Sequence, residues 1–455
     1  MSLPRPPKFS IAELETPEQH SPLKPEFLGY TLSSWQRLID KQGPVLRATI
    51  DDKEQVFLCN HETDRRAWKA PDDWLYGSPT SSGDFFLREM GETHITQQDG
   101  AAHRRSRKLL LPGFGIGAIS RDIEAIGNVI ATDLIALRGK PCDFHAELCL
   151  IYTRALSRSQ VKVDLTSSQL RTLNKFEEWF ISGLQLNTEQ QLQWHTHPDY
   201  MTLKGSAFDL FDGIAKERLT QSQTNADASA PQDTLQILLQ RETSDAWSPL
   251  EAHELRNVIY LLLVAGVGNI ANLASCMAWA LHKNSPWQAQ LSDELADISI
   301  EELPGRLKQG LKPFPKLQAT IFETERCFLP APVVPKTTTR DLDVLGYQIS
   351  AGTQVQQMIG MAHFDEARYP DAQSFKPERW LDGNTVRANA YGGGSHLCLG
   401  MGVSRVLLPL TLAALAKDHR LTPEQRSGKP HSLPVRNDID YSPLATHMDV
   451  TLSAS

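Results

Sequence analysis

Apolar and polar positions repeat along this chain with two different periods. From about residue 120 to 220 the apolar residues return every ~3.6 positions, as in "LRTLNKFEEWFISGLQL", and predict amphipathic helices. The helical pattern resumes from 233 to about 284. Inside it, residues 258–281, "VIYLLLVAGVGNIANLASCMAWAL", are apolar on nearly every side. That run is long enough to cross a bilayer. Asn269 and Asn272 interrupt it, and charged soluble-looking segments flank it, so a long helix buried through a large domain is the expectation. Residues 44–60 predict two short strands around a "DDKE" turn. Residues 332–360 switch to strand-like pieces in "TTTRDLDVLGYQISAGTQVQQMIG". A last helix is expected from about 399 to 417, kinked at Pro409. The polar stretch 221–232, "QSQTNADASAPQ", predicts a loop. No repeat and no strong boundary divides the chain. The fold class expected is mostly α with small β-sheets, in a single large domain over 21–455, preceded by an N-terminal tail over 1–20.

Composition narrows the function. The chain has 455 residues, 40% of them hydrophobic, which is ample for a large core. Net charge is −8, and no dense run of Lys and Arg occurs, so nucleic acid is not an expected partner. The 6 cysteines form no C-x-x-C pair, which predicts a reduced, cytoplasmic chain without a disulfide framework. The first residues, "MSLPRPPKFSIAELETPEQHS", lack an apolar core, so neither a signal peptide nor a membrane anchor is expected.

The candidate chemistry lies in residues 390–400, "AYGGGSHLCLG". A thiolate is a soft metal ligand, but one isolated cysteine cannot build a zinc site. A single axial thiolate suffices for haem iron, because the porphyrin supplies the in-plane ligands. The glycines would let the backbone turn tightly under a flat macrocycle. A following helix would steady the thiolate with its amides and dipole. On these residues alone, a buried cysteine in a glycine-rich loop stays open as the other reading.

"YGGGSHLCLG" resembles the haem-binding loop of the cytochrome P-450 superfamily, aromatic-x-x-G-x-[RH]-x-C-x-G. Gly394, His396, Cys398 and Gly400 fit, and Tyr391 stands where Phe is usual. Upstream, "ETER" supplies Glu323 and Arg326, "FKPERW" supplies Arg379, and "DGAAHRRSR" supplies His103 and Arg107, in the family's order. The resemblance spans roughly residues 20–450. It implies the cytochrome P-450 fold, haem b as cofactor, and Cys398 as the sole protein ligand to iron. It implies that His103, Arg107 and His396 contact the haem propionates. Lys336 falls where an arginine often serves the same purpose. Glu323 and Arg326 are one helical turn apart, and with Arg379 they would form a structural cluster behind the cysteine loop. His103 and Arg107 are also one turn apart, and two cationic donors suit a carboxylate. Their blander reading is a solvated basic face, since "HRRSRK" is simply basic.

Other motifs carry less. "GFGIG" at residues 113–117 follows no strand and has the wrong spacing for a dinucleotide fingerprint. His195 and His197 in "WHTHP" are expected on a surface loop. Trp74, Tyr76, Phe85 and Phe86 lie in the expected access loop, where they could meet an aromatic ligand or simply pack.

The chain departs from the family in its central helix. The pattern A-G-x-[DE]-T-[TS] reads here Ala265, Gly266, Val267, Gly268, Asn269, Ile270. The acid–alcohol pair that relays protons during oxygen activation is thus Gly268 and Asn269. Gly268 cannot relay a proton, and Asn269 hydrogen-bonds without titrating. Gly266 and Gly268 still suit a local opening of the helix. Ala265, Gly266 and Asn269 are therefore the expected distal residues. The resemblance implies a small-molecule monooxygenase or oxidase of the soluble bacterial type, of the kind that serves secondary metabolism. A separate ferredoxin or flavodoxin would supply its electrons. The substrate would be small and apolar or aromatic, with phenols among the options. Two alternatives stand beside it: a peroxide-using or hydroperoxide-rearranging enzyme that needs no redox partner, and a non-catalytic haem-binding partner protein.

Overall fold

The computed structural model describes residues 3–16, 26–50, 52–75, 83–184, 186, 188–224, 233–244, 252–423 and 448–454. The strands predicted near the N-terminus form as Val45–Ile50 (β1) and Lys53–Leu58 (β2), paired antiparallel. Both carry apolar residues at buried positions, so the pair becomes one end of a larger sheet. The other strands are Trp74–Leu75 (β3), Val334–Thr338 (β4) and Gln354–Gln357 (β5), giving a 5-stranded sheet in the order β1-β2-β5-β4-β3. β5 runs parallel to β2, and the other pairings are antiparallel. Residues expected as an N-terminal tail lie along this sheet: the Phe9 amide donates to the Arg47 carbonyl at 3.0 Å, and Phe9 and Leu14 are buried. Residues 1, 2 and 17–20 lie outside the described set. A smaller sheet joins Pro141–Asp143, Asp449–Ala454 and His419–Pro423.

The rest is mostly helix, as the periodicity predicts. The helices that frame the site are His61–Lys69 (α1), Gly83–Met90 (α2), Gly100–Phe114 (α3), Phe144–Gln160 (α4), Ser167–Leu184 (α5), Ala252–Leu263 (α6), Val267–Lys283 (α7), Pro315–Cys327 (α8) and Met401–Asp418 (α9). α9 runs on through Pro409. The loop predicted at 221–232 starts later than expected, because a helix persists to Thr224; residues 225–232 lie outside the described set.

The long central helix is not continuous. Gly266 adopts φ +85°, a left-handed conformation that costs glycine little. The amides of Val264 and Ala265 both donate to the Tyr260 carbonyl, at 3.0 and 3.1 Å, and Val267 donates to Val264 at 2.9 Å. The regular ladder is therefore interrupted between α6 and α7. The most apolar 18-residue window within residues 253–283 has mean hydropathy 1.8, and 72% of that window is buried in the protein. Its apolar surface packs against α4, α8 and α9, as expected of a core helix.

Candidate active site

The cysteine loop is closed by its own backbone. The Cys398 amide donates to the Tyr391 carbonyl at 2.9 Å. The glycines are needed here because Trp68 of α1 lies against them. A Cβ on Gly393 would come 2.8 Å from the Trp68 ring, and one on Gly394, at φ +63°, would come 3.0 Å from the Trp68 carbonyl oxygen. Cys398 precedes α9. Burial raises its thiol pKa; the Gly400 amide, the Arg107 charge and the Met401 amide pull it back. Those same groups favour a thiolate, the form in which a metal-bound cysteine exists.

Cys398 faces a cavity of about 260 Å³, whereas one water needs only ~10–15 Å³ by the same measure. His396, Tyr391 and Trp68 line it on the loop side, and Ala265, Gly266, Asn269 and Ile270 line it from the break between α6 and α7. Asn269 and Cys398 are both exposed by surface area although their surroundings are core; the area they expose opens on this cavity. Asn272 is different: it is buried, and its Oδ1 accepts from the Cys276 thiol at 3.8 Å, a packing role.

The expected propionate contacts are brought together only in part. His396 lines the cavity, with Nε2 3.4 Å from Asp99 Oδ1. His103 stacks behind it, ring centroids 3.7 Å apart. Burial, then the His396 ring and Arg107, push His103 down to about 4. This shift favours the neutral ring over the cation that its basic neighbours suggested. Arg107 is half-buried within electrostatic reach of Cys398. Lys336 does not line the cavity. It is fully buried on β4 with Nζ 3.9 Å from the centroid of the Trp68 ring, and it is Trp68 that faces inward. Burial lowers the Lys336 pKa well below the ordinary lysine range, against the opposing charge of Asp64.

Glu323, Arg326 and Arg379 meet as expected. Glu323 accepts from Arg326 Nη2 at 2.8 Å and Nε at 3.0 Å, from Arg379 Nε at 3.1 Å, from the Lys376 amide at 2.8 Å and from Trp380 Nε1 at 2.9 Å. Glu323 and Arg326 have no solvent exposure. Burial alone would raise the Glu323 pKa, but the Arg326 bonds and charge, with the Lys376 amide and Arg379, hold it below its ordinary value.

Sequence reasoning missed several partners. The Tyr391 hydroxyl donates to Glu325 at 2.6 Å, and Arg387 pairs with the same carboxylate at 2.6 Å. Glu325 is in plain view within "ETER", but its link to a tyrosine that replaces the usual phenylalanine is not. Trp68 carried no signal at all. Away from the cavity, Glu177 of α5 is buried and accepts from the Tyr260 hydroxyl of α6 at 2.8 Å; burial raises its carboxyl to about 8. The surface-loop expectation fails for His195. It ends the helix Thr188–His195, stacks on Phe85 and bonds Glu89 of α2, a buried carboxylate that requires a partner. His197 is exposed as expected. In the expected access loop, Trp74 and Phe85 are buried, Phe86 packs on His94 and Phe180, and Tyr76 lies outside the described residues.

Comparison with known proteins gives a consistent answer. The family described as Cytochrome P450 matches residues 29–437. The chain is 26% identical over 330 residues to "Putative cytochrome P450 135A1" of Mycobacterium tuberculosis, covering 69% of this chain and 67% of that protein. It is 25% identical over 356 residues to "Cyclooctatin synthase" of Streptomyces melanosporofaciens, covering 73% and 74%. It is 26% identical over 420 residues to "Ent-kaurenoic acid oxidase 1" of Hordeum vulgare, covering 89% and 83%. The structure "Retinoic acid bound cyanobacterial CYP120A1" superposes with TM-score 0.76 at 19% identity, covering 100% of both chains.

Proposed function

The chain belongs to the cytochrome P450 family, and from that premise we propose that it oxidises a small apolar or aromatic substrate, phenols included, with electrons from a separate ferredoxin or flavodoxin. Membership makes it a haem-thiolate monooxygenase and an enzyme, which displaces the non-catalytic reading. The residues present fit a haem: one thiol supported by two backbone amides, a glycine turn beneath which Trp68 leaves no room for side chains, and basic or neutral nitrogen donors at one edge. Bound through a thiolate, a haem would supply the oxygen activation that this class of chemistry needs. Haem b, bound without covalent attachment, is the form these residues would hold.

On this reading the Cys398 thiolate would hold the haem iron. His396, beside Asp99, would donate to a propionate, with His103 stacked on it and Arg107 nearby on α3. Lys336 acts through Trp68. Asn269 would orient substrate or water in the cavity that it shares with Cys398. Gly268 brings no acid, so protons arrive through water or a substrate hydroxyl.

The observation that carries the proposal is that Cys398 and Asn269, from separate elements, open into one mostly apolar cavity. Arg104, Arg105 and Lys108 are exposed on α3, the helix beside the cysteine loop, in a chain of net charge −8. Such a local basic face suits docking of an acidic electron donor. The test is turnover of a ligand found by its spectral shift, with a surrogate ferredoxin system and separately with hydrogen peroxide alone. Dependence on the ferredoxin supports the proposal. Full activity without electrons favours the peroxide-using or rearranging enzyme, to which the missing acid–alcohol pair also points.

A further inference from the structure

The place where the family carries an acid is open in this protein. A Cβ added to Gly268 would meet nothing within 4 Å. The polar group that approaches this residue comes from another helix: His145 Nε2 of α4 lies 3.3 Å from the Gly268 carbonyl oxygen. A carbonyl only accepts, so Nε2 carries the hydrogen. The oxygen has two lone pairs, so this bond can add to the ordinary helix bond from the residue four positions on. His145 is half-buried and starts one turn before Cys149, whose thiol sits 4.0 Å from the same nitrogen.

The contact falls beside the break between α6 and α7. The ladder from α6 does not run into α7, and Gly266 and Gly268 both weaken helical order. The first turn of α7 therefore takes its direction from lateral contacts. We infer that His145 is a positioning residue: by holding the Gly268 carbonyl it fixes the first turn of α7, and with it the direction from which Asn269 enters the cavity. The role assigned to Asn269 rests on the functional reading above; the anchoring of the helix does not.

Hydrogen–deuterium exchange on the haem-loaded protein tests this, read on peptides covering residues 262–272. His145→Phe should speed exchange there by about 2- to 10-fold, the Boltzmann range of one hydrogen bond. His145→Gln, which keeps an N–H at similar reach, should restore the wild-type rate. His145→Asn keeps the donor but falls short, and should behave like His145→Phe. The ferric absorption spectrum should shift in His145→Phe in the same direction as in Asn269→Ala. Unchanged exchange in His145→Phe, an equal rise across the whole protein, or no restoration by Gln would each overturn the inference. If His145→Phe yields no haem-loaded protein, the Gln–Asn contrast decides: equal exchange in both rejects the anchor. If Asn269→Ala has no spectral effect while His145→Phe still speeds exchange locally, the functional reading of Asn269 fails and the anchor stands.

Discussion

Replacing Glu323 with alanine should prevent the protein from accumulating with haem bound. The carboxylate has no solvent exposure and receives bonds from Arg326, Arg379, Trp380 and the Lys376 amide. Arg326 keeps its bonds to the carbonyls of His363 at 2.8 Å, Ala372 at 2.7 Å and Ser374 at 3.1 Å, but loses its counter-charge. Breaking a buried ion pair from one side costs roughly 3–5 kcal/mol. Leaving the Trp380 and Lys376 donors without an acceptor adds about 1–3 kcal/mol each, less whatever relaxation recovers. A loss of about 5 kcal/mol or more compares with total stabilities of about 5–15 kcal/mol. The assay is the yield of haem-loaded soluble protein, with the denaturant midpoint of whatever survives. Glu323→Gln keeps an acceptor oxygen without the charge and should fall between. The acid limb follows the same group. Its folded pKa is depressed below the ordinary 4.5, so its stabilisation is present above that pH and is lost as pH falls through the folded pKa. Glu323→Gln should flatten that limb. An alanine variant with full haem content, an unchanged midpoint and only altered turnover would refute the structural role and move Glu323 into the substrate site.

Cys398→Ser should abolish the strongly red-shifted ferrous–CO absorption of a thiolate haem; its persistence would show that another residue ligates the iron. Asn269→Thr should be tolerated or improve coupling when electrons come from a ferredoxin. It should cut activity if the enzyme rearranges a hydroperoxide, with effects of ~10²–10⁴-fold typical of acid–base assistance. No change in rate, coupling or ligand spectra in either Asn269→Thr or Asn269→Ala would reduce Asn269 to packing. Glu177 is held protonated up to about 8, whereas the unfolded chain releases that proton near the ordinary 4.5. Stability should therefore fall as pH rises through that window, and thermal midpoints of Glu177→Gln measured across it should fall less steeply; an identical slope would show that Glu177 is ionised in the folded protein.

The parts legible in the sequence are those fixed by spacing along one element. Glu323 and Arg326 share a helix face, and Cys398 sits in a turn that its neighbouring glycines announce. The residues that escaped notice meet across elements. Trp68 presses on the glycine turn from α1, Asp99 faces His396 from the start of α3, and the Tyr391 hydroxyl finds Glu325 on α8. Burial also changed chemistry that composition suggested. "HRRSRK" reads as basic, yet burial against His396 and beside Arg107 pushes His103 toward its neutral form. The central helix shows both sides of this. Its apolar length predicted a core helix, and its glycines suggested an opening, but the break between Leu263 and Val267 is fixed by which carbonyl each amide reaches.

The two walls of the cavity are built by opposite means, and this bears on where protons come from. Behind the cysteine loop the buried Glu323 carboxylate receives bonds from Arg326, Arg379, Trp380 and the Lys376 amide, which suits a ligand that must not move. On the other wall the helix ladder is broken, and the residues that face inward there are Ala265, Gly266, Asn269 and Ile270. None of these titrates. His145 contacts this segment through a carbonyl, an acceptor that fixes geometry without passing on a proton. On the proposed reading the proton donor near the reacting atoms is then either a water admitted at the break or the substrate itself. A phenol brings an O–H of its own, with an ordinary pKa of about 10, and needs no relay from the protein. An unfunctionalised hydrocarbon brings none. The missing acid therefore favours hydroxylated aromatic substrates over bare alkanes of the same size, and the coupling of electron use to product formation should be higher for the former.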